Sequence, residues 1–250
     1  MLATLADIGY PSGDESLVPL REQVCEWLFS TEHTKSIHTI NGRVRRCASQ
    51  EGNALYAMLT LGLTASGDGS HYADELAVHL MRWQWPDGGW NCDRKPEASN
   101  SSFMESLIPL RALALYARQR DNSAARQVVE HAAEIFLKRR LFKRQSDGSV
   151  ITEDFTKLHY PCYWHYDILF GLKVILEAGF ITDPRCADAL DLLESKRLPD
   201  GGFPAEGKYY ETRETARTAR SLVTWGVIRA RQMNEFVTVD ALTVLKAVGR

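Results

Sequence analysis

The residues best suited to chemistry are concentrated in one short segment of this 250-residue sequence, residues 158–167, which reads LHYPCYWHYD. Histidine and aspartate side chains can move protons, and the faces of tryptophan and tyrosine rings can stabilise a positive charge. One interpretation is therefore an aromatic wall with an acid/base pair. The other is that the rings are core and the polar groups form hydrogen bonds where a helix begins. The side chains concerned are His159, Cys162, Tyr163, Trp164, His165 and Asp167.

A second segment, residues 208–220 (KYYETRETARTAR), carries regularly spaced arginines. In a helix, Arg213, Arg217 and Arg220 would share one face, because they follow i, i+4, i+7 spacing. Together they could bind an anion. The alternative is a solvated helix face on which Glu214 pairs with Arg213 or Arg217.

A turn motif that occurs twice indicates how the chain is organised. The stretch WQWPDGGWNCD (residues 83–93) is matched by KRLPDGGFPAEG (residues 196–207), so that Pro-Asp-Gly-Gly precedes an aromatic ring in both. Weaker copies occur at residues 142–154 and 38–46. The turn centres are Asn41, Asp87, Asp147 and Asp200, which lie at intervals of 46, 60 and 53 residues. Periods in this range indicate a repeat architecture.

Two kinds of segment alternate between the turns. Those with a single apolar stripe predict half-exposed outer helices, at residues 14–30, 70–83, 122–140, 183–196 and 238–248. Those that are apolar around most of their circumference predict buried inner helices, at residues 51–65, 102–118, 163–178 and 209–231. The pattern predicts an all-α protein of about five helical hairpins, forming a single domain over residues 1–250 in which the first hairpin lacks its start.

Composition excludes several classes of function. Apolar residues make up 44% of the chain and charged residues 25%, which is typical of a protein that folds. A net charge of -2 with scattered basic residues argues against nucleic acid as a partner. Five cysteines without a Cys-x-x-Cys pair indicate no disulfide framework, and they favour a reducing, cytoplasmic setting. No segment has the length of a membrane span or the pattern of a signal peptide.

An aromatic residue directly after Asp-Gly-Gly resembles the repeat of squalene and hopene cyclases and of protein prenyltransferase β-subunits, the α/α-toroid superfamily. The resemblance implies a ring or partial ring of hairpins in which the turn aromatics brace neighbouring helices. The residues that would form these structural turns are Trp85, Asp87, Gly88, Gly89, Trp90, Asp200, Gly201, Gly202 and Phe203.

The same resemblance implies a cavity lined by the inner helices near their N-terminal ends. Besides the two segments already described, residues 43–53 (RVRRCASQEGN) and 99–106 (SNSSFMES) reach such ends. We expect a small hydrophobic or amphiphilic ligand, such as a prenyl diphosphate, between the third and fourth inner helices. The residues expected to line this cavity are Tyr163, Trp164, His165, Asp167, Tyr209, Tyr210, Arg213 and Arg217.

The catalytic signatures of the resembled enzymes do not occur in the sequence. The Asp-x-Asp-Asp acid of the cyclases is absent. The zinc-ligand positions of the prenyltransferases correspond to Ser99, Ser101 and Glu211, a set that would bind zinc poorly. His159 with Cys162 is a weak alternative set. We therefore predict no metal and no cofactor, and we assign no catalytic residue.

Three functions remain open. The first is a protein that binds an isoprenoid or other hydrophobic ligand, with cyclase-like or prenyltransferase-like activity if it is an enzyme. The second is a non-catalytic helical-repeat module that binds a protein partner. The third is a carbohydrate-active toroid, for which Glu105 and Asp167 would be the carboxylate pair.

Overall fold

The computed structural model describes residues 1–65, 67–213, 220–221 and 223–250, and about half of the chain is helical. The mostly helical class is thus confirmed, whereas the toroid and the single domain over residues 1–250 stay predictions. The α-helices are α1 (Leu2–Asp7), α2 (Val18–Leu28), α3 (Thr31–Lys35), α4 (Ser49–Thr60), α5 (Gly69–Trp83), α6 (Phe103–Gln119), α7 (Ser123–Leu137), α8 (Glu153–Thr156), α9 (Ile168–Glu177), α10 (Ala187–Glu194) and α11 (Glu235–Ala247). The strands are β1 (His38–Ile40), β2 (Arg43–Arg45), β3 (Glu211–Thr212) and β4 (Arg220–Ser221).

Contacts divide the chain into two compact units, Met1–Ile135 and Phe136–Arg250, with the boundary inside α7. In the first unit, α4 is central: it packs most extensively against α6 and also contacts α1, α2 and α5. A Cβ atom added to Gly52 in α4 would lie 3.0 Å from the backbone nitrogen of Pro109 in α6. Glycine at this position therefore lets the two predicted inner helices approach closely.

The second unit is built around the hairpin of α9 and α10. Helix α9 consists mostly of apolar residues. Its Leu172, Val174 and Ile175 are fully buried. Gly179 follows α9 with a φ of +88°, a conformation that ends helices and favours glycine. Helix α11 packs against both α9 and α10.

The two strong copies of the repeat turn have the same backbone hydrogen bonds. In the first copy, Trp85 N donates to Gly89 O at 2.8 Å, and Gly88 N donates to Trp85 O at 2.9 Å. The corresponding bonds of the second copy, both 2.9 Å long, join Leu198, Gly201 and Gly202. The internal match found in the sequence is therefore a match in conformation.

The aromatic residue of each turn is held by a hydroxyl group of the next helix. Ser106 Oγ in α6 accepts from Trp90 N at 2.9 Å and donates to Trp90 O at 3.3 Å. Thr238 Oγ1 in α11 does the same for Phe203, at 2.9 and 3.2 Å. Helix α11 buries one face, with Val237, Ala241 and Val244, and exposes Val239 on the other. This agrees with the single apolar stripe that the sequence predicted there.

The sequence predicted a fourth inner helix over residues 209–231. This prediction is wrong for the residues that the structure describes there. Instead, β3 and β4 form a short parallel pair, and the Tyr210 hydroxyl accepts a hydrogen bond from Trp225 N at 2.9 Å. Gly226 has a φ of +77° and leaves the helical region. The apolar residues of this segment suggested a buried helix, but β-branched residues such as Thr212 and Val223 favour extended backbone.

The faint copy of the turn at residues 38–46 is a β-hairpin. Strands β1 and β2 pair in antiparallel register, with Thr39 opposite Val44. Asn41 and Gly42 between them both have positive φ, 52° and 71°, as the tight turn of a two-residue hairpin requires. This Asn-Gly pair is therefore a hairpin signal and not a repeat turn.

Candidate functional site

The predicted site in the second unit lies on a loop and not on a helix. Helix α9 begins at Ile168, so Tyr163, Trp164 and His165 precede it, whereas the sequence placed them in its first turns. Asp167 is the N-cap residue of α9, and its Oδ1 accepts from Phe170 N at 2.8 Å. An aspartate cap of this kind ends the loop and starts the helix.

Asp167 also fixes the histidine at the other end of the loop. Its Oδ2 accepts from His159 N at 2.7 Å and lies 3.1 Å from His159 Nδ1, and the Cys162 thiol lies 3.5 Å from the same oxygen. Since a carboxylate is an acceptor, the His159 ring donates from Nδ1. Asp167 is fully buried. Its hydrogen bonds are those of a structural anchor for the loop.

Four rings of this unit form a continuous stack, which we call the aromatic stack. Tyr209 lies between two histidine rings, with centroids 4.2 Å from His159 and 3.8 Å from His165. The Trp164 ring continues the stack on His165 at 3.8 Å. Trp164 ends the stack and is 46% exposed. The structure therefore brings together residues from two separate segments that the sequence assigned to one site.

Electrostatically, the aromatic stack favours neutral groups. Burial lowers the pKa of His165 below its ordinary value, although a hydrogen bond to Cys162 O opposes this shift. Burial raises the pKa of Tyr209 well above its ordinary value. Both rings are therefore neutral near pH 7. At its exposed end, the stack offers the apolar face of Trp164 to a ligand.

Tyr163 and Tyr210, the other predicted tyrosines, do not belong to the stack. Tyr163 has a positive φ of 53° and forms part of the turn that places Trp164. Tyr210 is buried, and its hydroxyl is used by the backbone of Trp225. Lys208 Nζ lies 5.3 Å from the Tyr210 ring centroid. Tyr210 is therefore a packing residue.

The predicted arginine face is not assembled in the described part of the chain. Arg213 is exposed and pairs with Glu211 at 3.1 Å. Arg217 and Glu214 lie outside the described residues, and Arg220 is described only by its backbone in β4. The pairing of Arg213 with a neighbouring glutamate corresponds to the salt-bridged alternative of the sequence analysis.

The repeat-turn residues lie where bracing contacts are made. Trp85, Trp90 and Phe203 are buried. Trp85 Nε1 donates to Val44 O in β2 at 2.8 Å, and Trp90 Nε1 donates to Leu80 O in α5 at 2.9 Å. Each indole thus connects its turn to a different element. Asp87 accepts from Ser101, whereas Asp200 accepts from Gly202 N.

The residues at the prenyltransferase zinc positions make other contacts. Ser101 Oγ donates to Asp87 at 2.6 Å, Ser99 is exposed, and Glu211 pairs with Arg213. In the described part of the chain, a different group has three potential ligand atoms within 4.8 Å of one another. We call it the thiol–carboxylate cluster, and it consists of Cys47, Cys92 and Glu105.

Sequence reasoning missed the thiol–carboxylate cluster because it searched for closely spaced cysteines. Cys47 follows the β1–β2 hairpin, and Cys92 follows the first repeat turn. The two thiols are therefore distant in sequence, and only tertiary packing brings them together.

Comparisons with protein-family models, with curated proteins and with solved structures find no match for the chain. The resemblance to the α/α-toroid superfamily thus depends on the repeat turns of the chain itself. Among the described residues, the structure contains no helix with the length and apolar character needed to cross a membrane.

Proposed function

We propose that the protein binds an isoprenoid or other hydrophobic ligand through the aromatic stack of its second unit. One observation carries this proposal: Trp164 is 46% exposed, yet its ring is held in a stack that extends inward to the buried His159. An exposed indole that is fixed in this way is a preformed apolar face.

The support beneath Trp164 matters because binding costs free energy when a side chain must be immobilised. A rigid ring has already lost its rotamer freedom, so more of the contact energy remains for the ligand. His159 is locked by Asp167, Tyr209 stacks on His159, and His165 stacks on Tyr209. The stack therefore orders Trp164 from the interior outward.

The chemistry of the stack defines the ligand class. His165 and Tyr209 are neutral near pH 7, and ring faces bind hydrocarbon and stabilise positive charge. An isoprenoid chain, which is unsaturated and apolar, fits both properties. Of the two arginines predicted to bind a diphosphate, Arg213 is paired with Glu211, and Arg217 lies outside the described residues. We therefore expect the hydrocarbon to supply most of the affinity.

Calorimetry with prenyl alcohols and prenyl diphosphates of increasing chain length tests the proposal. We expect affinity to rise with chain length, because each buried CH₂ contributes about 0.8 kcal/mol, and to differ little between alcohol and diphosphate. Trp164→Ala should weaken binding at least tenfold, since a fully buried aromatic contact contributes about 1.5–3 kcal/mol. Trp27→Ala is the matched control, because Trp27 is 51% exposed in the first unit.

The proposal fails if none of these ligands binds at millimolar concentration, or if Trp27→Ala and Trp164→Ala weaken binding equally. In that case the interaction module is the better candidate, because an exposed, ordered tryptophan also suits the centre of a protein interface. The carbohydrate alternative has weaker support. Asp167 is fully buried and uses both oxygens as hydrogen-bond acceptors within the protein.

A further inference from the structure

The thiol–carboxylate cluster of the first unit is assembled from three elements. Cys47 lies between β2 and α4, Cys92 follows the first repeat turn, and Glu105 lies in the first turn of α6. Cys47 and Glu105 thus lie at the N-terminal ends of α4 and α6, two helices that pack against each other. The cluster shares no residue with the aromatic stack, so it is independent of the function proposed above.

The spacing of the ligand atoms fits a tetrahedral ion. Ligand atoms about 2.0–2.3 Å from a tetrahedral zinc ion lie about 3.5–3.8 Å from one another. Cys92 Sγ and Glu105 Oε1 are 3.7 Å apart. Cys47 Sγ lies within 4.8 Å of both. A small movement of the Cys47 side chain would complete one face of a tetrahedron.

The Glu105 carboxylate is oriented for this role by the backbone. Its Oε2 accepts a hydrogen bond from Ser49 N at 3.1 Å, at the start of α4, and this leaves Oε1 directed toward Cys92. Ligating carboxylates in metal sites are held by outer hydrogen bonds in the same way.

Glu105 has no ion-pair partner among the described residues. Its side chain is buried, and the nearby Arg46 is paired with Glu51. A bound divalent cation would supply the missing charge.

The two thiols lie close together, because Cys47 Sγ and Cys92 Sγ are within 4.8 Å of each other. Thiolates are the form of cysteine that binds metals. Both cysteines are half-buried, so the fourth position of a tetrahedral ion would face solvent.

We propose that Cys47, Cys92 and Glu105 bind one zinc ion per chain, with a fourth position open to water or to an exogenous thiol or hydroxyl group. Two thiolates and one carboxylate favour zinc over magnesium or calcium, which prefer oxygen ligands only. Three protein ligands with one open position is the arrangement of zinc sites that activate a bound group. This proposal departs from the metal-free protein predicted by the sequence.

Metal analysis of the full chain, purified and kept reduced, tests the site. We expect one zinc per chain, and after its removal we expect Co²⁺ to give thiolate-to-metal charge-transfer absorption and strong visible bands of a tetrahedral ion. Cys47→Ser, Cys92→Ser and Glu105→Gln should each weaken zinc binding by more than about tenfold, because even changes in outer-shell groups cost that much. Cys162→Ser is the control, since Cys162 lies in the second unit beside His159 and Asp167.

Three results would overturn the proposal. One is that the reduced wild-type chain neither retains zinc nor gives the cobalt spectrum. Another is that Cys162→Ser loses the metal while Cys92→Ser keeps it, which would move the ion to the His159 and Cys162 set. The third is a Cys47–Cys92 disulfide in protein purified under reductant, which would make the pair a redox site. The cobalt measurement uses the wild-type chain, so it decides the question even if a cysteine variant fails to fold.

Discussion

At the scale of single residues, hydrogen-bonding partners decide whether a reactive side chain is available for chemistry. Asp167 and Glu105 are both buried carboxylates near helix starts. Asp167 accepts hydrogen bonds from His159 and Phe170, so both of its oxygens are occupied. Glu105 directs one oxygen toward a thiol. The first residue therefore builds the loop, and the second is free to bind an ion.

We predict that Asp167→Asn lowers the free energy of unfolding by about 1–3 kcal/mol, because an amide NH₂ would replace an acceptor that faces the His159 N–H groups and leave them unsatisfied. Urea unfolding followed by circular dichroism measures the change. Asp154→Asn is the control, because Asp154 is an exposed partner of Lys157 and its loss should cost less than about 1 kcal/mol. Equal effects of the two substitutions would show that Asp167 is not an anchor.

The pH dependence of stability tests the environment of His165. Since burial holds its folded pKa below the ordinary value of about 6.5, the unfolded chain takes up a proton first as the pH falls. The contribution of His165 is therefore complete above about pH 6.5 and is lost as the pH falls toward its folded pKa. His165→Phe keeps an aromatic ring in the stack and removes the group that takes up a proton. The free energy of unfolding of this variant, measured from pH 7.5 to 5, should therefore fall less steeply than that of the wild type.

A matched variant separates this effect from the titration of other histidines. His71 is 67% exposed beside Glu75, and His71→Gln should leave the slope at the wild-type value below pH 6.5. If the unfolding free energy of His165→Phe also has the wild-type dependence on pH, the stacked His165 ring takes up a proton as readily as an exposed histidine.

At the scale of elements, the backbone conformation and packing of the repeat turn explain why its sequence contains two glycines. The first glycine of each Gly-Gly pair has positive φ, 108° at Gly88 and 86° at Gly201, a conformation that favours glycine. The second glycine is closely packed: a Cβ atom would lie 2.3 Å from Ser106 Oγ at Gly89 and 2.4 Å from Met233 Cγ at Gly202. The two glycines are therefore required for different reasons.

The hydroxyl that holds each turn provides a prediction for the repeat. Thr238→Val should destabilise the protein by about 1–3 kcal/mol, because the buried Phe203 N–H loses its acceptor. Ser106→Ala should have a similar cost through Trp90 N. Thr243→Val is the control in the same helix, since its exposed hydroxyl bonds only to Val239 O. Chemical denaturation compares the three, and a Thr243 effect equal to that of Thr238 would contradict the prediction.

The sequence predicted most helices but not the loops that carry the site. Apolar periodicity sufficed for α4 to α7 and for α9 and α10, because burial of a continuous face dominates their stability. It failed at residues 209–231, which the pattern treated as apolar around most of a helix, whereas the described residues form the short strands β3 and β4. It also could not reveal that Tyr209 stacks between His159 and His165, since such contacts depend on tertiary packing.

At the scale of the whole molecule, the chain carries its two proposed binding sites in different units, the aromatic stack in residues 136–250 and the thiol–carboxylate cluster in residues 1–135. Each ligand stabilises only the conformation that binds it, and local opening of the contacting elements becomes less frequent. The two proposals can therefore fail independently.

Hydrogen exchange followed by mass spectrometry can separate them in one experiment on the full chain. Zinc should slow exchange in peptides that cover the starts of α4 and α6, because it joins Cys47 to Glu105 across the two helices. A long-chain prenyl alcohol should slow exchange in peptides covering residues 158–170 and 203–212, which carry the stack. Cys92→Ser should abolish the first protection and keep the second, and Trp164→Ala should do the reverse. If zinc protects neither helix start, the cluster is not a metal site, and if Trp164→Ala retains the protection by the alcohol, the stack is not where the ligand binds.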